Sequence, residues 1–386
     1  MNIKKLILSG AFRQLVSGLA LVLGLILAAK QISIEDFAAY NYEMLVIYTG
    51  GAVLGVLGYP LIYKYLSENN AKNLYLPLII ILVNLIISGF IGFLLYYFGI
   101  FKSQYSIIGI CLFICANCIT AISLGISKYI LYNLGEVLPS LTLLLSVLFL
   151  GINNYNKLLL FTFFGFFLKI LIYILIFKID SEIYIKKYKI ISLSFIKDGL
   201  LVGCTGALQN FFFRFSFLLG MASGLNFSTL FTAIYPFVEK VLVFPQAANS
   251  ILYGKIVKNE IPKLTFLKLI SLIMLFCIVS SIFIYLLIRI LEIYYFDSSY
   301  KGISKISIFV CFLFVLQGLR ILIHNFFQGV SNSIIVLKDS IILGLLCAIL
   351  YILKIEDFAF IIAIYFVFFL LSLIYLIRRF NRFQDV

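Results

Sequence analysis

The chain has 386 residues, 63% of them hydrophobic and 12% charged, with a formal net charge of +14. A soluble globular domain carries about 45–50% apolar and about 25% charged residues, so this composition excludes a water-soluble core and makes lipid the solvent. The positive charge lies in short segments between apolar runs, with no basic domain interleaved with aromatics, which excludes a nucleic-acid partner.

Apolar runs of about 20 residues follow one another, each long enough to cross a hydrocarbon layer about 30 Å thick. Their hydrophobicity is continuous rather than alternating, so they read as helices and not as barrel strands. The first six spans are predicted near residues 6–29, 41–65, 75–98, 106–129, 132–152 and 158–177. Lys4 and Lys5 ahead of the first run resemble a signal peptide, but that run is too long and contains Arg13, so it reads as an uncleaved first span. Asn133, Gly135, Glu136 and Pro139 leave the fifth span short. A polar connection over 178–197 precedes the second six spans, near 199–221, 228–251, 267–290, 306–330, 334–353 and 358–377. Seven cysteines lie inside the apolar segments and read as small packing residues, with neither a disulfide framework nor a metal site. The string Ile-Glu-Asp-Phe-Ala occurs at 34–38 and again at 355–359, as a helix start with acidic residues in its first turn.

Orientation follows from Lys and Arg on alternate sides of these spans. Eighteen fall on the side of both termini and of the 178–197 connection, and seven on the other, which predicts cytoplasmic termini. The expected fold is an all-α polytopic membrane protein of about twelve transmembrane helices, as two six-helix bundles, 1–182 and 183–386, around a central cavity. An offset of 196 residues pairs Gly10 with Gly206, Gly24 with Gly220, Gly58 with Gly254 and Glu43 with Glu239, the pattern of a parallel repeat.

Charges inside spans face protein or water rather than lipid. Gln317, Arg320, His324 and Gln328 recur at +3, +4 and +4, one face of the tenth span. Tyr235, Glu239, Gln246 and Asn249 stripe the eighth, Ser9, Arg13 and Ser17 the first, and Asn210 with Arg214 the seventh. Four amphipathic spans across two halves predict an aqueous cavity, and arginine in excess over carboxylate predicts an anionic substrate, since guanidinium binds phosphate bidentately. Arg13, Arg214, Arg320, Gln317 and Asn210 are the candidate substrate ligands; Glu43, Glu239 and His324 are the candidate coupling groups for protons or ions. Snorkelling or pairing within the bundle is the competing structural role, above all for Lys169, Lys240 and Glu43.

Several of these residues carry a family resemblance that covers nearly the whole chain. Ser9-Gly10 with Arg13, the stretch Ile34-Glu35-Asp36-Phe37-Ala38-Ala39-Tyr40, Phe231 to Tyr235 followed by Glu239 and Pro245, and the loop Tyr294-Tyr295-Phe296-Asp297 occur in an order that resembles the Wzx-type flippases. These belong to the multidrug/oligosaccharidyl-lipid/polysaccharide exporter superfamily. In the second stretch Ala38 stands where the family usually has glycine. The resemblance implies a non-enzymatic flippase for undecaprenyl-diphosphate-linked oligosaccharide in the bacterial inner membrane, working by alternating access without a cofactor. It implies polymerase and chain-length proteins of the same pathway as partners. No Gly-rich phosphate loop precedes a Lys and Ser/Thr, which argues against an intrinsic ATPase. Two alternatives share parts of the pattern. A small-molecule or drug exporter of the same superfamily would favour carboxylates and an aromatic cage in the cavity. A membrane glycosyltransferase or polymerase acting on lipid-linked sugars would need a large outer loop, and every predicted outer loop is short.

Overall fold

The structure, a computed structural model, describes residues 3–55, 58–68, 73–126, 128–179, 263–296, 298–329, 333–352 and 358–382, with short stretches and single positions between 197 and 256. The first half holds α1 (Ile3–Gln31), α2 (Ile34–Leu54), α3 (Tyr59–Glu68), α4 (Tyr75–Tyr97), α5 (Tyr105–Gly125), α6 (Tyr129–Leu150) and α7 (Tyr155–Ile179). A 3-10 turn, Glu239–Leu242, is followed by α8 (Lys263–Tyr294), a second 3-10 turn, Ser298–Tyr300, then α9 (Ile303–Gly329), α10 (Ser333–Ile352) and α11 (Phe358–Arg382). Among the described helices seven are long and apolar enough to cross a membrane, at Phe12–Gln31, Tyr75–Tyr97, Tyr105–Gly125, Tyr132–Leu150, Tyr155–Phe177, Leu264–Tyr294 and Ile303–Gln328. The chain is an all-α, multi-pass membrane protein.

Among the described residues helix positions follow the predicted spans except within 41–65, at the fifth span, and at Glu239–Leu242, a 3-10 turn inside the predicted span 228–251. The predicted span 41–65 is two helices. α2 begins at Ile34, where the Ile-Glu-Asp-Phe-Ala string predicts a helix start and ahead of the span bound at 41; Ser33 caps it, accepting the Asp36 N–H at 3.1 Å, with Glu35 and Asp36 in the first turn where the helix dipole favours them. The same segment then stops at Gly55, whose N–H bonds the Gly51 carbonyl, and Gly58 N–H bonds Gly55 O at 2.8 Å. Pro60 enters in the first turn of α3, where its missing N–H leaves no helical bond broken. The fifth span is not short: α6 continues from Tyr129 through Pro139 to Leu150. A transmembrane helix tolerates such a proline where neighbouring helices pack on it, and α7 does so closely. A Cβ on Gly165 would lie 2.7 Å from Pro139 Cα, and one on Gly135 would lie 2.1 Å from the Tyr173 ring. Most of the predicted spans 199–221 and 228–251 lies outside the described residues.

The chain divides into two compact units, Leu19–Phe211 and Phe212–Val386 together with Met1–Gly18, so the division falls within α1; the expected boundary at 182–183 lies outside the described residues. Each unit has a central helix. α5 and α9 are each 61% buried over their spans, against 22–39% for the other spans. In the first unit α5 packs against α2, α3, α4, α6 and α7. In the second, α9 packs against α8, α10, α11 and the Glu239–Leu242 turn. Phe266 of α8, Phe326 of α9 and Phe380 of α11 form an aromatic knot, with ring centroids 4.8–5.9 Å apart. Peripheral helices turn Leu82, Ile86 and Phe90, or Phe276, Ile282 and Phe283, outward as apolar surface, as helices surrounded by lipid do.

Candidate functional site

The polar stripe of α9 is buried inside the second unit. Gln317, Arg320 and His324 are 0–2% exposed. Arg320 Nε and Nη2 donate to one oxygen of Asp339, Oδ2, at 2.8 and 2.6 Å. His324 Nε2 reaches that same oxygen at 2.8 Å. Ser372 of α11 donates its hydroxyl to the other oxygen, Oδ1. The Phe369 ring covers the guanidinium at 5.6 Å from its centroid, a cation–π contact in a dry site. One carboxylate therefore ties α9, α10 and α11 together, and every member of the cluster is 0–1% exposed. The tie does not use every group. Arg320 Nη1, His324 Nδ1 and Gln317 Oε1 have no hydrogen-bond partner among the described residues.

Asp339 and Ser372 were not among the residues expected from the sequence. Asp339 sits 19 and 15 positions beyond Arg320 and His324, on the next helix, so no helical period connects them. The rule that could have found it is electrostatic: a fully buried arginine in a span needs a carboxylate, and Asp339 is an acidic residue within the apolar run 334–353.

The other expected residues fall in different places. Arg13 is buried on α1, 3% exposed. Glu43, fully buried on α2, accepts the N–H groups of Lys102 and Ser103 on Oε1 at 2.5 and 3.1 Å and the Ser106 hydroxyl on Oε2 at 2.7 Å. It holds the turn that leads into the central helix α5 and the Ser106 hydroxyl of its first turn, at the end where the helix dipole favours an anion. Glu239 is half-buried at the start of its 3-10 turn. Asn210 and Arg214 lie outside the described residues. Lys169 of α7, 3% exposed, pairs with Glu136 of α6 at 2.5 Å, and Thr120 of α5 donates to the same oxygen at 3.0 Å.

No family model matches the chain, and no curated protein sequence does. Solved structures match it nearly end to end. One is MATE in the straight conformation, at a TM-score of 0.67 and 16% identity, covering 98% of this chain and 95% of that one. Another is a multidrug resistance MATE family transporter of the MOP superfamily in its outward-facing conformation, at 0.67 and 16%, covering 99% and 96%. A third is a MOP superfamily transporter from Pyrococcus furiosus, for which a reversed polarity of the binding pocket is said to suggest a different function, at 0.62 and 16%, covering 100% and 98%. The fold is that of the MATE transporters.

In this MATE-like chain the two units repeat one arrangement. Asp339 follows Glu136 by 203 positions, and Ser372 follows Lys169 by the same 203. In both units the carboxylate and its partner on the following helix are 33 residues apart, and α7 and α11 are each 25 residues long. The central helix contributes as well, through Thr120 in one unit and through Arg320 and His324 in the other. A carboxylate also sits at the start of each central helix. Glu43 does so for α5, and Glu292 of α8 accepts Gly302 and Ser304 N–H groups at the start of α9. The offset of 196 pairs Glu43 with Glu239, but the residue in the same role is Glu292.

Proposed function

We propose that the chain is a membrane transporter working by alternating access, and that it moves an undecaprenyl-diphosphate-linked oligosaccharide across the bacterial inner membrane with both termini in the cytoplasm. The observation that carries the substrate class is the buried guanidinium of Arg320. Its Nε and Nη2 are held by Asp339, while the Nη1 edge, one turn from the Gln317 amide, has no partner among the described residues. A cation pinned on one edge and unpartnered on the other is preorganised for an anionic oxygen, and arginine keeps its charge in a poorly hydrated site. Arg13, buried on α1, adds a second interior arginine, and Arg214 is a third candidate. Glycan assembly would continue with the polymerase and chain-length proteins of the pathway. No catalytic step by this chain is required, because the substrate leaves chemically unchanged.

A small-molecule exporter is the second reading, favoured by the likeness to a multidrug resistance MATE family transporter. Interior polarity separates the two readings, since a cationic drug needs carboxylates and aromatic faces where a diphosphate needs guanidinium. The test is complementation of a strain lacking its own repeat-unit flippase. The chain should restore surface glycan and should not raise resistance to cationic dyes; the reverse outcome establishes the exporter. Arg320→Gln combined with Asp339→Asn removes both charges and leaves neither ion unpaired. That protein should accumulate and yet fail to display glycan. Wild-type display from it would make Arg320 a structural tie only.

A further inference from the structure

Arg320 and His324 compete for a single carboxylate oxygen, and the competition has a consequence for coupling. Oδ2 of Asp339 receives Arg320 Nε at 2.8 Å, Arg320 Nη2 at 2.6 Å and His324 Nε2 at 2.8 Å, while Oδ1 is occupied by the Ser372 hydroxyl. A carboxylate has no hydrogen to give, so His324 Nε2 carries the hydrogen in that contact. In neutral His324 the other ring nitrogen, Nδ1, is then a bare acceptor, and no described residue donates to it. With that ring neutral the cluster is electrically balanced, one guanidinium against one carboxylate. Among the described residues no other carboxylate bonds to the cluster. α11 offers Ser372 and the Phe369 ring, and α8 offers Cys277, which lies against Gly318 and donates to Val241 O at 3.2 Å. On α10, Lys338 is exposed beside Asp339, and the turn that packs on α9 carries Glu239 and Lys240, both half-buried.

A proton arriving at Nδ1 makes two cations share one carboxylate in a site with no exposure to solvent. A net charge buried in that way is strongly disfavoured unless a counter-ion accompanies it. An anion at the buried, unpartnered Nη1 edge of Arg320 is that counter-ion. We propose that the anionic substrate and a proton on His324 bind together, each favouring the other. This rests on the reading that Arg320 meets the substrate's diphosphate and adds the regulation of that contact. Linkage is reciprocal, and couplings of this kind change affinity by about 5- to 150-fold. The sign is the informative part: proton and cargo are bound on the same stroke instead of displacing one another.

The experiment uses the detergent-purified full chain and citronellyl-diphospho-N-acetylglucosamine, a diphosphate diester whose own charge is fixed over the range tested. Titration calorimetry in buffers of different ionisation enthalpy reads protons exchanged on binding. Affinity should strengthen as pH falls from about 8 to about 6, by up to about tenfold per pH unit while free His324 is neutral and the complex is protonated, with uptake of up to one proton per ligand. His324→Gln should still bind, more weakly than wild type at the lower pH, and take up no proton. Proton release on binding, or uptake that persists in His324→Gln, overturns the coupling. Absence of binding at every pH overturns the substrate reading beneath it and the coupling with it. The sign of proton exchange in the wild-type protein decides even where His324→Gln accumulates poorly.

Discussion

Glu43→Gln separates a capping carboxylate from a titrating one. Oε1 of Glu43 holds two backbone N–H groups at the start of α5 and Oε2 holds the Ser106 hydroxyl. Glutamine keeps a carbonyl oxygen in the first position and places an amide donor in the second, where the Ser106 oxygen accepts instead. What is lost is negative charge at the N-terminus of the central helix, up to about 2 kcal/mol in a buried geometry. At about 2–4 °C per kcal/mol for a unit of this size, the midpoint of thermal unfolding should fall by no more than roughly 8 °C. Alanine loses the same charge and also strands the buried Ser103 N–H and Ser106 hydroxyl. At about 1–3 kcal/mol for each stranded donor, roughly 2–6 kcal/mol is added, a further fall of roughly 4–24 °C. Thermal scans of the solubilised protein measure both. Equal loss from the two variants would refute the capping geometry. A glutamine variant that is near wild type in stability yet inactive in glycan display would show that Glu43 must change protonation during transport, the coupling role for which it is a candidate.

Three further outcomes follow from the same geometry. Asp339→Asn alone leaves Arg320 buried against a neutral amide, at a cost of about 3–5 kcal/mol; its protein level should collapse, and pairing it with Arg320→Gln should restore most of it, read by quantitative blotting of membranes. Gly165→Val should abolish accumulation, because even the first added carbon would lie 2.7 Å from the Pro139 backbone, whereas Gly55→Ala, with nothing within 4 Å, should be tolerated at close to wild-type level. Reporter fusions should place both termini and residues 178–197 in the cytoplasm and Lys30, Lys102 and Lys301 outside, and termini found on opposite faces would overturn the charge-based orientation.

Most helix positions were legible because length and continuous hydrophobicity are what a bilayer selects. The start of α2 was legible in the acidic string at 34–38, but hydropathy does not register the Gly55 to Pro60 interruption, which acts through backbone hydrogen bonds inside an apolar stretch. The α9 stripe was legible at helical spacing, and Gln317, Arg320 and His324 do share the buried interior of one unit. Its counter-charge was not, because Asp339 lies on a different helix and joins Arg320 only through the tertiary packing of α9 on α10. For Glu43, burial was legible but purpose was not. Its three donors come from residues 59, 60 and 63 positions away, at the start of another helix.

The repeat illustrates the same limit from the other side. An identity search at a fixed offset finds glycines, whose role is close backbone approach, and it cannot find the ionic clusters, because no residue in them is conserved between the halves. Glu136 is matched by Asp339 and Lys169 by Ser372, with the basic partner on α7 in one unit and on the central helix α9 in the other. What persists is a carboxylate on α6 in one unit and on α10 in the other, each held by the following helix at the same spacing of 33. A buried carboxylate demands a cation but does not dictate which helix supplies it. In the first unit the cation comes from α7, and the central helix reaches that carboxylate through the Thr120 hydroxyl. In the second, the move of the cation to α9 sets Arg320 beside His324 and Gln317 on one stripe. The asymmetry follows from where the positive charge sits, and it gives the second unit alone, among the described residues, an arginine and a histidine sharing one acceptor.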